Sequence, residues 1–185
     1  MTRIMRLVLA VALCLVSTLA AAGLGLRNDD DPDAPKWQEE ESVLPPFPQD
    51  KDLVEFYVSA VASNRYYVDA STLEVGKDGV VRYTLVVKTS GGATNITREA
   101  MHCETREYRL YASGRADGTW AKTRVDAWRL IENKPMNRHH AALSVDLFCP
   151  NGGPITDVED GRRALRLGRN PHAGGTGGVR LPVDH

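Results

Sequence analysis

Histidine and cysteine are the residues best suited to chemistry here, and their spacing limits what they can do. His139 and His140 are neighbours in the chain. On a helix, adjacent side chains point about 100° apart, so the two cannot easily grip one metal ion, and the zinc-type i, i+4 histidine pair is absent. His102 could join them only if the fold brought it close. The simpler reading is a polar pair at a helix start, and neither a metal nor another cofactor is expected. Cys103 follows His102, a pairing that could activate a thiol, but not one consumed in a disulfide. There is no Gly-x-Ser-x-Gly elbow and no serine set beside a base. Ser90-Gly91-Gly92-Ala93-Thr94-Asn95 has the glycines of a phosphate loop but lacks the Gly-Lys-Ser/Thr ending. Asn95-Ile96-Thr97 is a glycosylation sequon by pattern only. These absences predict that the protein is not an enzyme.

One surface could bind rather than react. Arg106-Glu107-Tyr108-Arg109 is charged and aromatic. Tyr66, Arg106, Tyr108, Arg115 and Trp120 are a candidate binding face, with Tyr67 beside them, because tyrosine, tryptophan and arginine are common interface anchors. The competing reading is a set of cross-strand pairs on a solvated face, worth a few tenths of a kcal/mol each. The partner would be an unidentified envelope protein or ligand. A nucleic-acid partner is not expected: the formal net charge is −1, without the basic excess such binding requires.

The amino terminus predicts where this surface would work. Arg3 and Arg6 precede an apolar run from Leu7 to Leu19, and Ala20-Ala21-Ala22 closes it. This is the layout of a cleavable signal peptide over residues 1–22. A run of about 13 residues is short for a membrane span, which needs roughly 20. Cys14 lies inside the run, out of place for lipid attachment. The expected location is the bacterial periplasm, with outer-membrane or surface association left open. Loss of Arg3 and Arg6 lowers 23 basic residues to 21 against 24 acidic ones, a net charge of −3. Export also leaves Cys103 and Cys149 alone together in an oxidising compartment. Their pairing would restrict the unfolded chain by about 4 kcal/mol; the alternative is two buried free thiols.

The intervening segments must position these groups. Residues 23–35 carry Asp29, Asp30, Asp31 and Asp33 and read as an acidic disordered spacer. One domain is expected over 36–168. It opens with an arm through Leu44-Pro45-Pro46-Phe47-Pro48, held extended by its prolines. Trp37, Leu44 and Phe47 suggest that this arm lies against the domain. Strands are predicted over Leu53–Ala60, Arg65–Asp69, Val80–Lys88, Cys103–Ala112 and Trp120–Ile131, with turns at Gly76–Gly79, Gly91-Gly92 and Asp117-Gly118. In Val80–Lys88, Val81, Tyr83, Leu85 and Val87 share one face, and Arg82, Thr84 and Lys88 look outward. The fold class is α+β: an antiparallel β-meander packed by one or two carboxyl-terminal helices and closed by a disulfide.

The first helix should start at an Asn137 cap and run to about Leu147, delivering Cys149 at its end. The second should open on a Thr156-x-x-Glu159 capping box, bury Val158, Gly161, Ala164 and Leu165, and stop at Gly168. The disulfide would then tie a mid-sheet strand to the first helix. Residues 169–185 read as a Gly-rich flexible tail.

Long stretches of this chain resemble the cryptic neisserial protein-like family of exported proteobacterial proteins. Among them are Glu55-Phe56-Tyr57-Val58-Ser59-Ala60, Gly76-Lys77-Asp78-Gly79-Val80-Val81-Arg82-Tyr83, Cys103-Glu104-Thr105-Arg106-Glu107-Tyr108-Arg109 and Asn137-Arg138-His139-His140. The resemblance spans roughly Lys36 to Gly168 and implies no catalytic residues. A fainter similarity in the order of Tyr67-Val68-Asp69, Cys103, Trp128 and Phe148-Cys149 points to surface-adhesin protein E type domains, which implies a sheet with a disulfide-held helix. The leading expectation is a non-enzymatic periplasmic binding module. The alternatives are an envelope hydrolase or metal enzyme using His102, His139 and His140, and a surface adhesin.

Overall fold

The structure is a computed structural model that describes residues 36–125, 127–135 and 137–173. The signal peptide over residues 1–22, the acidic spacer over 23–35 and residues 174–185 fall outside the described residues. Seven strands are described: β1 (Leu53–Phe56), β2 (Arg65–Val75), β3 (Val80–Lys88), β4 (Thr94–His102), β5 (Glu107–Gly114), β6 (Trp120–Lys122) and β7 (Arg129–Leu130). All pairings are antiparallel, and spatial order follows chain order from β1 to β6. The two short strands share the outer edge of β5: β7 beside Glu107 and Tyr108, β6 beside Ala112 to Gly114. The expected α+β meander is therefore the observed fold.

Several boundaries differ from expectation, each for a local reason. β4 carries Arg98 and Glu99 in mid-strand, so it lacks the clean alternation that marks β3. Cys103 lies beyond β4 in a turn, closed by the Arg106 N–H donating to the Cys103 carbonyl at 3.2 Å. Arg106 takes a left-handed backbone (φ 56°) there, so the predicted strand from Cys103 to Ala112 begins only at Glu107. β2 continues past Asp69 through a register irregularity between Asp69 and Glu74. The Asp69 carboxylate causes it by accepting from the Ser71 N–H (2.9 Å) and hydroxyl (2.6 Å), a local bond that competes with the ladder. Because side chains alternate along a strand, the irregularity switches which residues face the core. Val68 is buried in the core before it and Leu73 after it.

Both faces of the sheet are covered. On one, Val68, Leu73, Val81, Tyr83, Leu85 and Met101 pack under the carboxyl-terminal helices. On the other, Arg82 and Thr84 were expected to look outward, yet they are only 3% and 0% exposed. The arm that starts at Trp37 explains the correction. Trp37 Nε1 donates to the Asp78 carbonyl (2.8 Å), and the Glu40 N–H donates to the Asp78 carboxylate (2.8 Å). Arg82 reaches both Asp78 and the Glu40 carbonyl. Glu39 bonds Arg109 and Tyr111 of β5. Further along, Trp120 Nε1 donates to the Pro45 carbonyl (2.9 Å), and the Phe47 and Trp120 rings meet at 5.3 Å. The proline-rich segment is a strap over a polar layer, and its own polar groups pair with that layer.

The helix face closes differently. α1 (Arg138–Ala142) passes directly into a π-type turn over Leu143–Phe148. The wider turn brings Leu143, Leu147 and Phe148 all into the core. Asn137 does not cap with its side chain; its carbonyl instead accepts from His140 N (3.0 Å) after a turn that starts at Lys134. α2 (Val158–Leu167) is capped one residue later than predicted. Asp157 has the extended N-cap geometry and accepts from Asp160 N at 2.8 Å. Gly161 is where α2 crosses the sheet: a Cβ there would sit 2.5 Å from Ile155 and 2.6 Å from Leu73. Packing continues past Gly168. Asn170 is 3% exposed and donates to the Leu147 carbonyl (3.0 Å), so the first residues assigned to the tail are tied down.

Candidate functional site

His139 and His140 lie on one face of the sheet and His102 on the other. His140 is under the helices, where its Nε2 lies 2.8 Å from the buried Glu99 carboxylate. Glu99 also accepts from Tyr83 (3.0 Å) and Thr97 (2.7 Å). The His140 ring stacks on Tyr108 at 3.8 Å, and His139 stacks on Tyr66 at 5.3 Å. Burial pushes the Glu99 carboxyl up, but the His140 bond and charge and the Thr97 hydroxyl outweigh it, so the group stays below its ordinary range. Burial, then the charge of neighbouring His140, lowers His139 to about 4. Burial and the Glu99 charge push the Tyr83 phenol well up.

A carboxylate–imidazole pair is half of an acid–base device. The other half needs a group to activate and a route for substrate. Glu99 is 5% and His140 4% exposed, and the hydroxyl bonded to the pair is a tyrosine held protonated. The arrangement suits attachment of α1 to β4. His102 points to the other face, among the arm residues, and the three histidines do not converge. No group of three His, Cys, Asp or Glu that could hold a metal is found among the described residues.

The candidate binding residues also separate. Tyr66 and Tyr108 are on the helix side, stacked on His139 and His140. Trp120 is on the arm side under Phe47. Arg106 and Arg115 lie just beyond the two ends of β5. The Arg115 guanidinium closes its own hairpin, donating to the Trp120 carbonyl at 3.1 Å. Cys103 and Cys149 do pair, with Cα atoms 5.4 Å apart. Their bond joins the β4–β5 turn to the end of the π-turn.

A cleft forms where the arm, the β4–β5 turn and β7 meet. It has a volume of about 280 Å³ and is lined by Trp37, His102, Glu104, Thr105, Glu107 and Trp128. Three aromatic rings stand nearly upright to one another. Trp37 and His102 are 4.8 Å apart at 65°, Trp37 and Trp128 6.1 Å at 72°, and His102 and Trp128 6.0 Å at 67°. Each ring is fixed from behind. Trp37 is held by its bond to Asp78. His102 Nδ1 accepts from the Thr105 N–H (3.3 Å) and lies 2.8 Å from its hydroxyl, which leaves the neutral ring's proton on Nε2. Trp128 has the Arg109 guanidinium 5.9 Å from its ring centre. Glu104 is exposed and Glu107 half-buried; neither carboxylate has a charged or hydrogen-bonding partner among the described residues.

Sequence reasoning assigned Trp37 to packing, placed Glu107 in the charged and aromatic segment of the candidate binding face, and gave Glu104 and Trp128 no site. No local pattern marks them as a group, because each wall comes from a different segment.

A family model described as the CNP1-like family matches residues 32–166, a stretch that contains all seven strands and every residue lining the cleft. No curated protein and no solved structure matches the chain.

Proposed function

The chain belongs to the CNP1-like family, and we propose that it acts as an exported, non-catalytic binding module whose ligand occupies the Trp37–His102–Trp128 cleft. The observation that carries this reading is the combination of three fixed ring walls with two uncommitted carboxylates at one partly open site. Recognition sites pair apolar surface with a few placed polar groups. This one does so on a scaffold anchored by the disulfide and by the arm. The helix-side acid–imidazole pair is enclosed and serves architecture. Export is supported by the leader pattern and by the pairing of Cys103 with Cys149, a kind of bond that forms and persists in oxidising compartments. Among the described residues no helix is long and apolar enough to cross a membrane.

The test uses the protein recovered from the periplasmic fraction of its host, its amino terminus and cysteine state read by mass spectrometry. Its three tryptophans give three indole N–H signals in a nitrogen-15 correlation spectrum. Mixtures of small neutral, anionic and cationic compounds should move the Trp37 and Trp128 signals and leave Trp120, which lies under the strap, in place. Recovery only from the cytosol would refute export. Unmoved Trp37 and Trp128 signals across all three mixtures would refute the cleft as a binding site.

A further inference from the structure

The composition of the cleft also selects the charge of its ligand. We infer that it recognises an alkylammonium group, carried by a small solute or a lipid headgroup; this rests on the binding reading above. An aromatic ring presents negative charge on its face, and a cation within about 6 Å of the centroid is attracted to it, the more strongly once desolvated. The rings of Trp37, His102 and Trp128 meet edge to face, with centroids 4.8, 6.1 and 6.0 Å apart, and make one joined aromatic wall of the cleft against which a cation can lie.

The surrounding charges agree. Glu104 and Glu107 line the cleft without competing partners. An acidic ligand would have to enter past both carboxylates. Arg109 is engaged by Glu39 and placed against Trp128. That contact shows the Trp128 π system already accepting one cation. A fully neutral apolar ligand would gain nothing from the two carboxylates and would cover their hydration. The small volume of the cleft suits one headgroup rather than a peptide segment.

The experiment titrates the full mature protein with choline and, separately, with 3,3-dimethyl-1-butanol, its neutral isostere. Tryptophan fluorescence and the three indole signals are the readouts. Choline should bind at least about tenfold more tightly than the alcohol. Trp128→Leu should cut choline affinity about tenfold, and Glu107→Gln about threefold while leaving the melting temperature unchanged. Phosphatidylcholine vesicles that co-sediment the protein, against phosphatidylglycerol vesicles that do not, would assign the ammonium to a lipid. Choline binding without co-sedimentation would assign it to a free solute. Equal affinity for choline and the alcohol, or no response to choline, would overturn the cation assignment. If neutral or anionic compounds still moved Trp37 and Trp128, the cleft would stand as a site of different selectivity; if nothing moved them, both readings would fall.

Discussion

Reducing the Cys103–Cys149 bond should cost this protein about 4 kcal/mol, chiefly by releasing the unfolded chain. The two cysteines are 46 residues apart, and closing a loop of that length removes about 13 cal/mol/K of chain entropy. The folded body of roughly 135 residues should unfold with an entropy near 0.28 kcal/mol/K, so the loss corresponds to a fall of about 14 °C in melting temperature. The loop contains β5, β6, β7 and α1, so the oxidised unfolded state stays compact around those segments. Its urea dependence should therefore be shallower than that of the reduced protein. Calorimetry and urea unfolding with and without a phosphine reductant measure both quantities. A Cys103→Ala/Cys149→Ala variant serves as a redox-independent control. Both sulfurs are nearly buried, so reduction should be completed in denaturant before refolding. Oxidised and reduced forms that melted within about 3 °C with equal urea slopes would refute the chain-entropy reasoning.

Two further outcomes follow from the helix face. His139 has its folded pKa lowered to about 4 from 6.5, so between those values the unfolded state binds more protons and stability falls as pH falls. The loss from pH 7 to pH 4.5 should be on the order of 2 kcal/mol, allowing for partial exposure. Glu99, whose pKa is lowered, stays ionised through that window and loses its contribution only below it. His139→Phe, which preserves stacking on Tyr66, should flatten urea-derived stability over the same range; an unchanged slope would reject the assignment. Gly161→Ala places a methyl against Ile155 and Leu73 and should destabilise by about 1–2 kcal/mol despite the better helix propensity of alanine. Thermal melting checks it, and a stabilised variant would show that α2 can lift from the sheet freely.

What could be read in the sequence was the local grammar. β3 announces itself through Val81, Tyr83, Leu85 and Val87, and Gly168 takes the left-handed cap its position predicts. The Cys103–Cys149 pairing was legible once the leader-like pattern set Cys14 aside. What could not be read depended on distant segments. Arg82 looks like a surface residue until Asp78 and the Glu40 carbonyl are brought to it by the arm. Arg98 is 0% exposed in mid-strand, donating to the Thr72 carbonyl at 2.7 Å, a partner created by the β2 irregularity. Buried charges of this kind erase the alternation that reveals a strand, which is why β4 is invisible to periodicity. The cleft is a stronger case, since Trp37, His102 and Trp128 have no sequence relation to one another.

The division between the two faces argues for where function belongs. The helix side is buried and cross-linked by bonds among Glu99, His140, Tyr83 and Thr97, so a ligand there would have to displace bonds that hold α1. The arm side is built from paired polar groups, and its covering is a strap rather than a helix. A strap can carry a residue to the sheet's end without filling the space beside it. Trp37 does this: its indole nitrogen is anchored on Asp78 while the ring projects toward His102 and Trp128. The cleft therefore exists only when the arm is docked, which couples the stability of the Glu39–Arg109 and Asp78–Arg82 pairs to the integrity of the site. A segment retained only to protect the sheet edge would need no tryptophan at that position.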